Sequence, residues 1–152
     1  LAPLWSVIHT ALGKKADYGD ISLLYGSRSS ADLVYREELE ALRDKMKIQL
    51  SVDGEEEGWD EYVGFVPSNV LDKEPSPTNA IAVTCGPPIM IKFVIANLKQ
   101  LGFDDSQIYT TVENKMKCGI GKCGRCNIGK HYVCVHGPVY SWADLKKLPL
   151  DY

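Results

Sequence analysis

The sequence predicts an α/β protein: a doubly wound parallel sheet, followed by a small C-terminal module gathered around cysteines. Three observations lead there. Short apolar strand segments alternate with helical segments of about 10 to 15 residues, the pattern of right-handed βαβ units. The composition changes near Asn114, from an acid-rich stretch to a basic, cysteine-rich one. The length of 152 residues suits one ordinary domain with a small appendage. The predicted division is 1–113 for the sheet domain and 114–152 for the module.

Each element has its own signal. Pro3 near the start of an apolar run suits a first helical turn, where its missing N–H does no harm. Leu4, Ile8, Ala11 and Leu12 then form a helical stripe ending at Gly13. A helix opening this abruptly, without Met, reads as the start of a fragment or processed product. Ile21 to Tyr25 is a buried strand closed by Gly26-Ser27-Arg28. Residues 31–44 read as an amphipathic helix with Leu33, Tyr35, Leu39 and Leu42 inward and Asp32, Glu37 and Glu38 early, as the helix dipole favours.

Ile48 to Val52 is a second strand. The acidic loop from Asp53 to Asp60, with Glu55, Glu56 and Glu57, reads as solvated. Tyr62 to Val66 leads through Pro67 to a short helix near residue 70. A third strand spans Ala80 to Thr84, followed by Cys85-Gly86-Pro87-Pro88 and a helix to Leu101 that Gly102 ends. Gln107 to Val112 is the fourth strand. Trp142 to Leu148 reads as one or two helical turns packing the tail.

Composition narrows the function. With 45% hydrophobic and 24% charged residues the chain is globular. A net charge of −3 points to neither nucleic acid nor a membrane surface. No apolar run approaches a transmembrane length or a signal segment, so no membrane insertion is expected. Free cysteines favour a reducing cytoplasm.

Ligands of doubly wound sheets bind beyond the carboxyl ends of the strands. Three segments qualify: Gly26-Ser27-Arg28, Cys85-Gly86-Pro87-Pro88, and the amino end of the first helix, where free N–H groups suit a pyrophosphate. Arg28 either meets a phosphate or is an ordinary surface arginine in a turn. Cys85 is either simple packing or a thiol facing the binding crevice. No G-x-G-x-x-G is present.

Cys118, Cys123, Cys126 and Cys134 are spaced C-x4-C-x2-C-x7-C. Thiolates this close converge on a soft metal centre, and the first three resemble the run that holds a [2Fe–2S] cluster in plant-type ferredoxins. Zinc is the second reading, although a structural zinc site usually offers two C-x2-C knuckles. Disulfides are the third; five cysteines is an odd number and the crowding disfavours two unstrained bridges. Gly119, Gly121 and Gly124 interleave the ligands and let the backbone turn amides toward sulfur. No acid occurs from Asn114 to Ala143, while Lys115, Lys117, Lys122, Arg125 and Lys130 form a basic collar suited to an anionic centre.

These motifs together resemble the ferredoxin–NADP reductase superfamily. Thr84-Cys85-Gly86-Pro87-Pro88-Ile89-Met90 is similar to its C-G-P-P-x-M segment, whose cysteine lies beside the nicotinamide. Tyr25-Gly26-Ser27-Arg28 resembles the loop that contacts the adenosine end of the nucleotide. Leu1-Ala2-Pro3-Leu4 resembles the close of a glycine-rich G-G-x-G-x-A-P-L turn. The cysteine module is similar to that of dihydroorotate dehydrogenase electron-transfer subunits. It looks closer still to hydrogenase/sulfur reductase gamma subunits and to the corresponding electron-transfer subunit of anaerobic sulfite reductase. The seven residues before Cys134 form a shorter gap than in plant ferredoxins and fit a hairpin turning at Gly129-Lys130.

The resemblance implies a relay in which electrons pass between NAD(P)H, FAD and a [2Fe–2S] cluster to or from a catalytic partner subunit. The FAD would sit on a β-barrel domain that these residues do not include, as they also lack the first strand and glycine turn of the nucleotide domain. It further implies NAD(P) contacts at Ala2, Pro3, Gly26, Ser27, Arg28, Cys85, Gly86, Pro87 and Met90. Cys85 would shape the reactive pocket, and the four clustered cysteines would be the metal ligands. Two competing functions stand beside it: a zinc-stapled nucleotide- or protein-binding module without redox chemistry, and a redox-sensing regulator. The choice of NADH or NADPH stays open between Arg28, Lys14 and Lys15 on one side and Asp32 on the other.

Overall fold

A computed structural model describes residues 1–149. The chain falls into two compact units, Leu1–Glu74 and the residues from Pro75 onward.

In the first unit, α1 (Ala2–Gly13) carries Pro3 in its opening turn and buries Ile8. Its end is closed by the Lys14 N–H, shared between the Thr10 and Ala11 carbonyls. β1 (Ser22–Ser27) and β2 (Lys47–Val52) pair in parallel, from Ser22 opposite Lys47 to Ser27 opposite Val52. β3 (Tyr62–Val63) adds to β2 in the same direction. α3 (Val66–Lys73) has Pro67 in its first turn and stops where Glu74 turns left-handed at φ 41°.

The predicted helix over 31–44 is a correction. Only Arg36–Glu40 forms α2, preceded by a 3-10 turn at Ser30–Asp32, an extended Leu33, and Tyr35 at φ 60°. Local polar bonding accompanies the break, because the Val34 N–H donates to the Tyr25 hydroxyl at 3.2 Å in place of a helical carbonyl. Leu33, Leu39 and Leu42 still point inward and join Ile8, Leu23, Met46 and Leu50 in one core. Tyr35 instead stacks on Trp5 of α1, with ring centroids 4.7 Å apart and planes 12° off parallel.

A polar tie braces this unit. The half-buried Glu61 accepts from the Leu50 N–H at 2.8 Å and from Gln49 Nε2 at 3.3 Å, and it pairs with Arg43. Arg43 also holds Glu40 and the Ile48 carbonyl. Its carboxylate partners raise the guanidinium above its ordinary value, Glu40 contributing most, so the ion pair is fixed at any physiological pH.

In the second unit, β4 (Ala82–Thr84) and β5 (Ile108–Thr111) pair in parallel around α4 (Pro88–Gln100). Val94, Ile95 and Leu98 of α4 are buried, as are Phe103 and Ile108. Gln107 locks the entry to β5. Its Nε2 donates to the Pro77 and Ala80 carbonyls at 2.7 and 2.8 Å, while its Oε1 accepts from Asp104 N–H at 2.9 Å.

The remaining elements serve the cysteines. β6 (Asn127–Ile128) and β7 (His131–Tyr132) make the antiparallel hairpin that the spacing before Cys134 predicts. α5 (Val133–His136) follows, then β8 (Val139–Ser141) and α6 (Trp142–Leu145). β8 corrects the all-parallel expectation, since it pairs antiparallel with β5, Thr110 opposite Tyr140. Three residues after a proline give too little alternation to read as a strand from sequence. Ser141 Oγ accepts from Asp144 N–H and caps α6.

Candidate functional site

The cysteine loop is shaped by its glycines. Gly119, Gly121 and Gly124 take φ values of +72°, +71° and +70°. That left-handed geometry turns successive N–H groups inward. Gly121 N–H donates to Cys134 Sγ at 3.3 Å, and the Lys122 and Cys123 N–H groups donate to Cys118 Sγ at 3.3 and 3.4 Å. The hairpin returns Cys134, and the Val133 N–H closes on the Cys126 carbonyl at 3.0 Å.

The loop amides thereby meet two of the four predicted ligands, Cys118 and Cys134. Among the described residues no group of three or more His, Cys, Asp or Glu side chains is placed to hold a single metal ion. Amide donors on sulfur are what stabilise the charge of an iron–sulfur centre.

The electrostatics divide the ligands. The amides of Ile120, Cys123 and Lys122 lower the Cys118 thiol to about 6, so it is a thiolate at neutral pH. Cys134 is pushed the other way, first by burial and then by the Cys126 thiol, against the Gly121 amide. Cys123 is exposed and Cys126 is fully buried. Lys115, Lys117, Lys122, Arg125 and Lys130 are all exposed around the loop, as is the apolar pair Ile120 and Val135.

Beneath Cys126 lies a small core of Val112, Val133, Tyr140 and Leu145. Burial and then the charge of Cys126 push the Tyr140 phenol above its ordinary value.

The nucleotide candidates lie in both units. In the first, Gly26 sits opposite Ser51 at the carboxyl end of β1. A Cβ there would fall 2.6 Å from Val66 Cγ2 and 2.7 Å from Ser51 Oγ, so no side chain fits. Ser27 ends the strand, and Arg28 is 87% exposed, reaching Asp32 only at 3.8 Å. Ala2 and Pro3 open α1 and are exposed. In the second unit, Cys85 is half-buried at the end of β4, and Pro87 caps α4 with Pro88 in its first turn. Met90 folds back under Gly86, where a Cβ would meet its Cε at 2.6 Å.

One residue of this edge escaped the sequence reading. Glu56, expected to be solvated, accepts the Ser30 N–H with both carboxylate oxygens at 3.0 and 3.1 Å, tying the acidic loop to the turn after β1. Three consecutive glutamates offer no periodicity that would single out the middle one.

Comparison with known proteins matches this architecture. Residues 1–95 fit the family model described as the oxidoreductase NAD-binding domain. Residues 113–146 fit the iron–sulfur cluster binding domain of dihydroorotate dehydrogenase B. The chain therefore belongs to the oxidoreductase NAD-binding family, in its ferredoxin–NADP reductase-like branch, with an iron–sulfur binding domain at its C-terminus.

Particular relatives sharpen that placement. The gamma subunit of sulfhydrogenase 1 from Pyrococcus furiosus is 36% identical over 97% of this chain and 53% of its own length. A probable electron transfer subunit of dihydroorotate dehydrogenase B (NAD(+)) from Thermococcus kodakarensis is 34% identical over 95% of this chain and 55% of its own. The chain thus spans about half the length of these two curated relatives. Among solved structures, the cytochrome b5 reductase domain of Ulva prolifera nitrate reductase superposes with a TM-score of 0.60 at 33% identity. It covers 70% of this chain and 42% of its own. An NADH-dependent reduced ferredoxin-NADP oxidoreductase, at 21% identity, shares the fold with a TM-score of 0.60 over 97% of this chain and 53% of that one.

Proposed function

We propose that this chain is the nucleotide and iron–sulfur part of an electron-transfer subunit. It would pass electrons between NAD(P)H and a catalytic partner of the hydrogenase, sulfur or sulfite reductase, or dihydroorotate dehydrogenase type. The carrying observation is the cysteine loop, whose left-handed glycines aim backbone amides at the Cys118 and Cys134 sulfurs. Functionally the chain divides into 1–113 for NAD(P) and 114–152 for a [2Fe–2S] centre. FAD belongs on a domain outside these residues, and the cytoplasm supplies the reducing surroundings that free thiols need.

The centre, when bound, takes and releases one electron at a time. The chain's own residues prepare its place. Cys118, already a thiolate at neutral pH, is a ligand ready without proton loss, and Cys123, Cys126 and Cys134 would complete the set. Gly121, Lys122 and Cys123 amides stabilise the negative charge on sulfur, and the exposed lysines and Arg125 add longer-range support.

On the nucleotide side, Gly26 lets Val66 and Ser51 close against the strand end, which leaves Ser27 and Arg28 at its tip for a ligand. Arg28 gives up only a long, exposed ion pair when it turns to a phosphate. Ala2 and Pro3 present a helix start. Cys85, with Gly86 and Pro87 held by Met90, shapes the nicotinamide pocket without covalent attack.

Oxygen-protected protein with iron, acid-labile sulfide and a visible absorbance band supports this reading. Colourless protein that takes up stoichiometric zinc, and no iron or sulfide under anaerobic reconstitution, overturns it.

A further inference from the structure

Tyr140, with His131, is one of two unpaired polar groups that the described residues of the cysteine module bury. Its side chain is 7% exposed, and its hydroxyl oxygen is buried with no hydrogen-bond partner. Buried polar groups are ordinarily hydrogen-bonded, so an unpaired phenol calls for an acceptor that the chain's own residues do not supply. β8 places it against Thr110, in the core shared with Cys126. Gly137 fixes the ring, because a Cβ there would lie 2.6 Å from Tyr140 Cε2 and 3.0 Å from its hydroxyl oxygen.

A phenol can act as donor or acceptor, and Cys126 is a ligand whose sulfur gains negative charge when the centre is reduced. We propose that Tyr140 donates its hydroxyl hydrogen to sulfur on the Cys126 side of the centre and thereby raises its reduction potential. This rests on the iron–sulfur reading above. Tyr140 is a positioning residue here, acting on the electron affinity of the centre and on no bond of the substrate. His131 is the competing acceptor: its Nδ1 is also buried and unpartnered, and its ring centroid lies 6.4 Å from that of Tyr140. The sulfur is the stronger claim, since its acceptor strength grows with the electron it receives.

The test is a redox titration, followed by electron paramagnetic resonance, of the whole iron-loaded protein and its Y140F variant, with iron and sulfide measured in both. Removing the donor should shift the one-electron equilibrium about tenfold toward the oxidised form, a fall of about 59 mV. The same fall in a His131→Leu background keeps the sulfur as acceptor; its disappearance there assigns the hydroxyl to His131 and overturns the proposal. Equal potentials in two fully loaded proteins overturn it and leave the iron–sulfur reading standing. Absence of iron and sulfide from both overturns that reading and this proposal together. Should Y140F fail to fold, the same titration of iron-loaded protein in which 3-fluorotyrosine replaces tyrosine decides: its more acidic hydroxyl is a stronger donor, so a raised potential supports the hydroxyl donor, and an unchanged potential refutes it.

Discussion

The carboxyl end of β1 and the cysteine loop both depend on glycine, for opposite reasons. At Gly26 the backbone is ordinary strand, and the space is taken: Val66 Cγ2 and Ser51 Oγ stand where a Cβ would go. At Gly124 the space is open and the backbone is not, since φ is +70° with nothing within 4 Å of a Cβ. The first glycine answers to tertiary packing and the second to local conformation. Substitutions at the two sites should therefore fail in different ways and be rescued by different second changes.

The largest effect should come from the ligands themselves. Cys126→Ser should abolish iron and sulfide content and the visible band, while the far-ultraviolet circular dichroism of the α/β part persists. Loss of the sheet signal together with the band would erase the functional independence of the two regions.

Next comes the core of the first unit. Leu39 is fully buried, and Leu39→Ala should cost about 2–5 kcal/mol in urea unfolding without changing iron content per folded molecule. Gly26→Ala should cost about 1–3 kcal/mol by overpacking, and Val66→Ala should recover part of it. Gly124→Ala should cost about 1–2 kcal/mol and lower iron retention, because a left-handed residue with a Cβ is strained. No neighbouring truncation should help there, whereas Gly124→Asn should be milder, since asparagine tolerates this region. Rescue of Gly124→Ala by trimming a neighbour would break the contrast.

The smallest effect is a pH dependence. In metal-free protein the Cys118 thiol, lowered to about 6, should be alkylated readily at pH 7 and slow as pH falls through 6. The sign follows from linkage. A depressed folded value contributes stability that is full above the ordinary thiol value of 9.0 and lost as pH falls through about 6. Residue-resolved alkylation by mass spectrometry across pH 5 to 9 checks it; a Cys118 midpoint near that of an ordinary thiol, about 8.5, removes the claim for its amides.

Much of this was legible from residues alone where the signal is local. The cysteine spacing, the interleaved glycines, the Gly129-Lys130 hairpin and the strand–loop motifs at Gly26 and Cys85 all follow from chain geometry within a few residues. The four- and two-residue gaps leave the loop few ways to turn, which is why its glycines and the amides on the Cys118 and Cys134 sulfurs follow from spacing. The failures share a cause too. Residues 31–44 carry a helical apolar stripe, yet the Tyr25 hydroxyl captures the Val34 N–H, and Tyr35 leaves the stripe for Trp5.

By itself the sequence determined which atoms can serve as ligands and which turns can carry them, because bond geometry and φ preference act over short stretches. Only the tertiary structure decided that Glu56 secures Ser30, that β8 runs against β5, and that the Tyr140 hydroxyl ends buried and unpaired in the core it shares with Cys126. Those outcomes depend on partners as many as thirty residues away in the chain, whose meeting is set by burial and exclusion of volume and by no pattern that a single segment displays.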